Sequence, residues 1–275
     1  MHLLCAGRIL ELDTAVVMGV LNVTPDSFYD GGRFADPAAA LSQAQRMAEE
    51  GAAIIDIGGE STRPGAQPID PAQELARVLP VVERVAARVP TLISIDTSNP
   101  ELMRRAAAAG AHMINDVRAL RAPQALQAAA DSKLAICLVH MLGEPPDMQR
   151  APHYHDVVAE VGAFLEERVR ACVAAGIERE RLALDPGFGF GKSTAHNLQL
   201  LQRLEELARP GLPLVVGLSR KSLLAALTGR GQQERLAGSI ALAALAVERG
   251  ARIVRAHDVA ASVDAVRVAS ALRGA

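Results

Sequence analysis

Tryptophan is absent from the 275 residues, and aromatic side chains of all kinds make up only 3%. A surface that stacks nucleic-acid bases on rings is therefore not expected. A formal net charge of -2 also denies the broad positive face that a phosphate backbone demands. Cysteine is scarce too. Cys5, Cys137 and Cys172 are widely spaced and form no Cys-x-x-Cys pair, which argues against a metal knuckle and fits small apolar residues in a reducing compartment. No apolar run is long enough to span a bilayer, and the opening "MHLLCAGRILELD" lacks a basic stretch followed by a long apolar one. Neither a membrane anchor nor a signal peptide is expected, and the chain reads as cytoplasmic.

What the chain does have is apolar bulk, 50% of its residues, enough for one large core. Short runs of β-formers recur with longer Ala/Leu/Glu/Arg stretches between them. "VVMGVLN" (Val16 to Asn22), "AIIDIGG" (Ala53 to Gly59), "TLISIDT" (Thr91 to Thr97) and "HMINDV" (His112 to Val117) read as strands. So do "LAICLVH" (Leu134 to His140), "LALDPG" (Leu182 to Gly187), "LPLVVGLS" (Leu212 to Ser219) and "RIVRAHD" (Arg252 to Asp258). Nearly continuous apolarity means burial on both faces, as in a parallel sheet covered by helices. Helix starts are marked by an N-cap candidate followed by proline, at Asp36-Pro37, Asp70-Pro71 and Asn99-Pro100. Further helices are expected after His155, Thr194, Gln232 and Asp258, and Pro80 is expected to kink or break the second helix. The pattern predicts a single (β/α)8 barrel domain over residues 1–275 in preference to an open doubly wound sheet, because closure removes both edges. The first fifteen residues read as an extra strand pair capping the barrel's N-terminal end.

In such a barrel chemistry belongs where strands end and βα-loops begin. Polar residues gather there: Asn22, Asp56 with Glu60, Asp96, Asn115 with Asp116, His140, Asp185, Ser219 with Lys221, and Arg255 with His257. Polarity inside apolar strands is costly unless paired or met by a ligand. Any one of these residues could be a cap or a structural hydrogen bond; the whole set points to a site.

The segment "LALDPGFGFGKST" ends like a nucleotide-binding phosphate loop, but the first glycine such a loop needs falls on Pro186. Proline has no amide proton and a fixed φ, so the cradle cannot form. The glycines instead permit a turn that wraps a ligand and presents Phe188 and Phe190, with Lys192 as a surface or loop-anchoring charge. Two long Gly/Pro/Ser/Thr-rich connections, Asn22 to Phe34 and Gly58 to Asp70, are candidate lids. They carry Arg33 and Arg63, whose guanidinium groups suit an anion. Ser219 and Ser222 flank a strand-to-helix junction able to receive one, where a surface role for Arg220 is as open as a functional one. His153 and His155 have no obvious third partner for a metal, and His112 reads as structural.

Taken in order, "MGVLNVTPDSFYDGG", "DIGGESTRPGA", "SIDT" with "INDVRAL", "LVHMLGEPPDMQ", "LDPGFGFGK", "GLSRKS" and "IVRAHDV" resemble the signatures of the bacterial dihydropteroate synthase family, from Met18 to Val259. The resemblance implies condensation of 6-hydroxymethyl-7,8-dihydropterin diphosphate with 4-aminobenzoate, releasing pyrophosphate and 7,8-dihydropteroate, in a homodimer. It implies that Asp96, Asn115, Asp185 and Lys221 bind the pterin, with Arg255 over its face. It places Asn22, Thr62, Arg63, Arg255 and His257 on the diphosphate, with Mg²⁺ held partly by Asn22. Phe190 and Ser219, with the lid residues Thr62 and Pro64, would shape the aminobenzoate pocket, Gly217 would also contact substrate, and catalysis would rest on Asp96, Arg63, Arg255, His257 and Lys221. Departures are mild: Val139 stands where many members have Met, and Leu218 is a small change. A methyltetrahydrofolate-dependent corrinoid methyltransferase would share the pterin acceptors but has no use for the cationic "ESTRPG" and "SRKS" segments. A scaffold barrel without activity would be expected to lack Arg63, Asp185 or Lys221.

Overall fold

Side chains along a strand alternate between two faces, and in this chain the two faces meet different surroundings. The computed structural model describes residues 1–24, 37–60, 69–144, 146–209 and 211–274. After an N-terminal pair, β1 (His2–Cys5) and β2 (Arg8–Glu11), come the eight parallel strands β3 (Val16–Asn22), β4 (Ile54–Gly58), β5 (Leu92–Asp96), β6 (Met113–Asp116), β7 (Ala135–Val139), β8 (Leu182–Asp185), β9 (Leu214–Val216) and β10 (Ala251–Ala256). They close into a barrel in chain order, β10 pairing with β3.

One set of strand residues, including Val17, Ile55, Ile57, Ile93, Ile95, Ile136 and Val254, packs outward against the surrounding helices. The alternate set, Met18, Ile54, Leu92, Met113, Ala135, Ala183, Val215 and Ile253, fills the barrel interior. Leu3, Cys5, Leu10 and Leu12 join that interior cluster, so the hairpin plugs the N-terminal end of the barrel as expected. Its two-residue turn, Ala6-Gly7, has positive φ at both positions, as a twisted hairpin needs. His112 ties plug to barrel: its Nδ1 accepts from the Ile93 amide at 3.1 Å and its Nε2 meets Arg8 at 3.3 Å. The three cysteines are free and buried.

The helices are α1 (Pro37–Glu49), α2 (Pro71–Ala86), α3 (Pro100–Ala108), α4 (Ala125–Ser132), α5 (Val157–Ala174), α6 (Thr194–Gln202), α7 (Ser222–Thr228), α8 (Leu236–Glu248) and α9 (Val259–Gly274). Asp70 and Asn99 cap α2 and α3 as their sequences indicate, each side chain accepting from two amides of the first turn. Asp36 lies outside the described residues. Pro80 does not break α2, which runs through it; the carbonyl it leaves without an intrahelical partner belongs to Ala76, on the exposed face, where water can serve it. Helix α4 lacks a side-chain cap and starts after Gln124 in the left-handed region. Tertiary contacts hold it: buried Arg181 donates to the carbonyls of Ala129 and Leu134, both at 2.9 Å. No helix among the described residues is long and apolar enough to cross a membrane.

Candidate active site

The same alternation that makes the barrel interior also makes the site. Interior residues follow one another as Ile54, Asp56, Gly58 on β4, as Leu92, Ser94, Asp96 on β5, and as Met113, Asn115 on β6; Ala183 is followed by Asp185 on β8, and Ile253 by Arg255 on β10. Each column is apolar near the hairpin plug and polar at the strand's C-terminal end. Register sets the depth: Asp56 pairs with Ser94, while Gly58 pairs with Asp96 and Asp96 with Asn115. Gly58 makes room for this, since a Cβ there would come within 3.3 Å of the Asp96 Cβ.

Above these columns opens a cleft of about 340 Å³, lined by Asp96, Asn115, Asp185, Phe188, Phe190, Gly217, Lys221 and Arg255, with Val117 and Val139 as further apolar walls. Polar and aromatic residues singled out by the sequence thus share one cavity. Asn22, Ser219 and His257 lie outside that lining, at or just beyond the ends of β3, β9 and β10. Thr62, Arg63 and Pro64 lie outside the described residues, as does Arg33. A larger cleft, about 470 Å³, is lined by residues that include Leu165, Glu166, Val169, Arg170, Arg179 and Arg209 and contains none of the candidate site residues; the strand-end cleft is the one that gathers the polar ends of the interior columns.

Arg255 is the hub. Its Nε donates to Asp56 Oδ2 at 2.6 Å and its Nη2 to Asp96 Oδ2 at 2.8 Å. The Asn115 amide donates to the same Asp56 oxygen at 3.1 Å. Asp56 belongs to the set of strand-end polar residues that points to a site, but the family resemblance assigns it no role there. The period-two column it shares with Gly58 was the available signal; the cross-strand partners were not. Asp56 Oδ1, Ser94 Oγ and Asn115 Oδ1 are buried without a hydrogen-bond partner among the described residues. Such atoms are costly unless a donor reaches them.

Electrostatics follow from burial and from this wiring. Burial pushes the Asp96 carboxyl up to about 7, with Arg255 opposing the shift. Burial raises Asp185 as well, against the amide of Gly187, which donates to Asp185 Oδ1 at 2.7 Å. Lys221, lowered to about 8 by burial and by Arg255, sits over the Phe190 ring at 4.2 Å from its centroid. His257 is lowered to about 4 by burial, then by Arg255 and Arg220, so it is a neutral imidazole at neutral pH. Its Nδ1 lies 3.0 Å from Ser219 Oγ, which also accepts from the His257 amide at 3.2 Å. Arg220 is committed to Asp258, with contacts of 2.5 and 3.0 Å.

In the Gly-rich segment after β8 the lysine turns into its own loop. Lys192 is buried, not at the surface, and its ammonium bonds the carbonyls of Gly187 and Phe190 at 3.0 Å each and His140 Nδ1 at 2.8 Å. It is the loop anchor of the two alternatives, and burial lowers it to about 7. Both phenylalanines line the cleft as expected; Phe190 is partly open, while Phe188 is otherwise buried in the barrel-to-helix core. Gly187 has φ +69 and lies so near the chain after β7 that a Cβ would fall 1.8 Å from the His140 carbonyl oxygen. His153 and His155 meet ring to ring at 5.2 Å, and no group of three or more His, Cys, Asp or Glu among the described residues is placed to hold a metal.

Known proteins resemble this chain along almost its whole length. Residues 18–257 match the family described as pterin binding enzyme. The dihydropteroate synthase of Escherichia coli strain K12 is 52% identical over 271 residues, covering 98% of this chain and 96% of that one. The Yersinia pestis dihydropteroate synthase, solved in a sulfonamide drug complex, superposes with a TM-score of 0.95 at 50% identity, covering all of both chains. That of Xanthomonas albilineans, solved with 4-aminobenzoic acid, gives 0.93 at 55% identity, covering 100% of this chain and 98% of that one.

Proposed function

The chain belongs to the dihydropteroate synthase family of pterin binding enzymes, and from that premise we propose that it condenses 6-hydroxymethyl-7,8-dihydropterin diphosphate with 4-aminobenzoate, releasing pyrophosphate. Its class is transferase. The observation that carries the reading is the convergence of Asp96, Asn115, Asp185, Lys221 and Arg255 on one cleft. A pterin offers ring N–H and amino donors beside a carbonyl acceptor. Asp185 and the unpartnered Asn115 Oδ1 supply acceptors, and protonated Lys221 supplies the donor for the carbonyl. Arg255, held between two carboxylates, lies over the ring and reaches toward the diphosphate.

The diphosphate is assigned to Asn22, Thr62, Arg63, Arg255 and His257. Being neutral, His257 acts as a hydrogen-bond donor: when Ser219 donates to Nδ1, Nε2–H is left to give. Departure of the diphosphate precedes attack, and the resulting pterin-methyl cation is stabilised by its ring and by the Asp96 carboxylate. The aniline nitrogen then attacks from a pocket shaped by Phe190 and Ser219, to which Thr62 and Pro64 are also assigned, and gives up one proton to solvent as the carbon–nitrogen bond forms. Water has to be kept from the cation, for which it would compete.

Mg²⁺ fits this arrangement. A hard cation that completes its shell with substrate phosphate oxygens and water needs few protein donors, and the half-buried Asn22 at the end of β3 offers one amide oxygen. When bound there it would neutralise charge on the leaving diphosphate. We further assign this chain sulfonamide binding in the aminobenzoate pocket, one domain over residues 1–275, a cytoplasmic place in line with its free buried thiols, and a homodimer. The dimer face is the apolar strip on α8 and α9, where Leu245, Val268 and Leu272 are exposed by 44%, 63% and 72%.

The deciding experiment is incubation with the pterin diphosphate, 4-aminobenzoate and Mg²⁺. Equal amounts of pyrophosphate and 7,8-dihydropteroate are expected; absence of both, or methyl transfer from methyltetrahydrofolate, overturns the assignment. Light scattering at a single-chain mass would overturn the dimer.

A further inference from the structure

Asp56 is fully buried, is not part of the cleft lining, and has no place in the reaction proposed above. Its Oδ2 nevertheless takes two hydrogen bonds, from Arg255 Nε at 2.6 Å and from the Asn115 amide nitrogen at 3.1 Å. A carboxylate only accepts. Whatever group of Asn115 faces Asp56 must therefore be the NH₂, and the Asn115 oxygen must point elsewhere. That oxygen is buried and unpartnered among the described residues, on a side chain that lines the cleft. The same Asp56 oxygen fixes the Nε edge of Arg255, which leaves its Nη2 to Asp96 at 2.8 Å.

We propose that Asp56 is a positioning residue: it locks the Asn115 amide with oxygen toward the cleft, and it clamps the Arg255 guanidinium in the plane that meets the ligand. This rests on the pterin reading, because the donor that the Asn115 oxygen selects is the exocyclic amine of the heterocycle. Without Asp56 the amide is free to turn over and present NH₂ to that amine. Donor then faces donor, and the preference for an amino-bearing ring is lost.

The test uses the full chain, two variants and two probes, 6-hydroxymethyl-7,8-dihydropterin and its analogue lacking the 2-amino group, with binding of each read by calorimetry; turnover is read as pyrophosphate released from the pterin diphosphate in the presence of 4-aminobenzoate. Asp56→Ala is expected to weaken binding of the amino-bearing probe roughly tenfold or more and to shrink the affinity ratio between the probes. The KM for 4-aminobenzoate should stay within about twofold. Asp56→Asn keeps the shape and one oxygen able to accept both bonds. It should restore the affinity ratio while turnover remains roughly tenfold down, because the charge that clamps Arg255 is gone. Should Asp56→Ala not fold, the Asp56→Asn split between retained selectivity and lowered turnover still decides. An unchanged ratio in Asp56→Ala overturns the proposal, as does Asp56→Asn turning over like the parent. A parent protein that binds neither probe refutes the pterin reading itself, a different outcome from both.

Discussion

Gly187→Ala gives the sharpest test of how the loop after β8 is built. At φ +69, alanine costs about 1 kcal/mol relative to glycine on backbone conformation alone. The larger effect is steric. The new Cβ would lie 1.8 Å from the His140 carbonyl oxygen and 2.9 Å from its carbon, where ordinary contacts begin at 3.4 Å. One backbone must retreat from the other by on the order of 1 Å, a displacement that can cost about a hundredfold in rate when it misplaces a reacting group. The groups at stake are close by: the Gly187 amide donates to Asp185 Oδ1, and the Gly187 carbonyl accepts from Lys192, which also holds Phe190. We expect kcat/KM for the pterin substrate to fall about a hundredfold, with pterin affinity falling alongside. Gly176→Ala separates the two effects, because its φ is +84 but nothing lies within 4 Å of the new Cβ. That control should melt only a few degrees lower, at most about 4 °C for a chain of this size, and keep its activity. If Gly187→Ala melts and turns over like Gly176→Ala, the claimed contact between loop and strand end is wrong.

Other perturbations follow from the same network. The kcat/KM profile for the pterin substrate should be bell-shaped: it falls below about pH 7 as Asp96 takes up a proton, and above about pH 8 as Lys221 loses one. Asp96→Asn should remove the acid limb from whatever activity survives, and a profile level from about pH 6 to about pH 9 would contradict both assignments. Asp185→Asn should weaken pterin binding roughly tenfold or more, since a donor replaces an acceptor opposite a ring N–H; unchanged calorimetric affinity would count against it. Lys192 is lowered from 10.5 to about 7 in the fold, so the unfolded chain binds more protons between those values and stability rises with pH across that window. Relative to Lys192→Met, the parent should therefore gain up to about 2 kcal/mol between about pH 7 and about pH 9, read from denaturant midpoints at each pH. An equal difference at both ends would show that the amine is not buried as described.

Much of this architecture could be read from one sequence because local signals and global packing agree. Apolar strands with polar C-terminal residues, proline at the first position of α2 and α3, and the short apolar segments around Ala6-Gly7 each carry their own physical reason. The failures sit where tertiary contacts overrule local chemistry. Helix α4 has no cap to announce it; a buried arginine from a distant segment, Arg181, supplies the missing partners. Pro80 reads as a breaker because sequence does not say which face its lost bond opens onto. Lys192 reads equally as surface or anchor until three acceptors close around it.

Asp56 is the most instructive of these. Its strand parity was legible, for it shares an interior column with Ile54 and Gly58, yet its register opposite Ser94, below Asp96 and Asn115, depends on how neighbouring strands are staggered. That stagger puts one carboxylate beneath two residues that line the cleft, and a buried carboxylate does little for stability by itself, since its desolvation offsets much of what its partners return. Apolar residues of similar volume could fill the column as they do at Met18, Ile54 and Leu92. What an apolar residue cannot do is dictate the orientation of an amide and a guanidinium at once. The depth of Asp56 thus argues for a selective function over a structural one, and the affinity ratio between amino-bearing and amino-lacking rings is the quantity on which that argument stands.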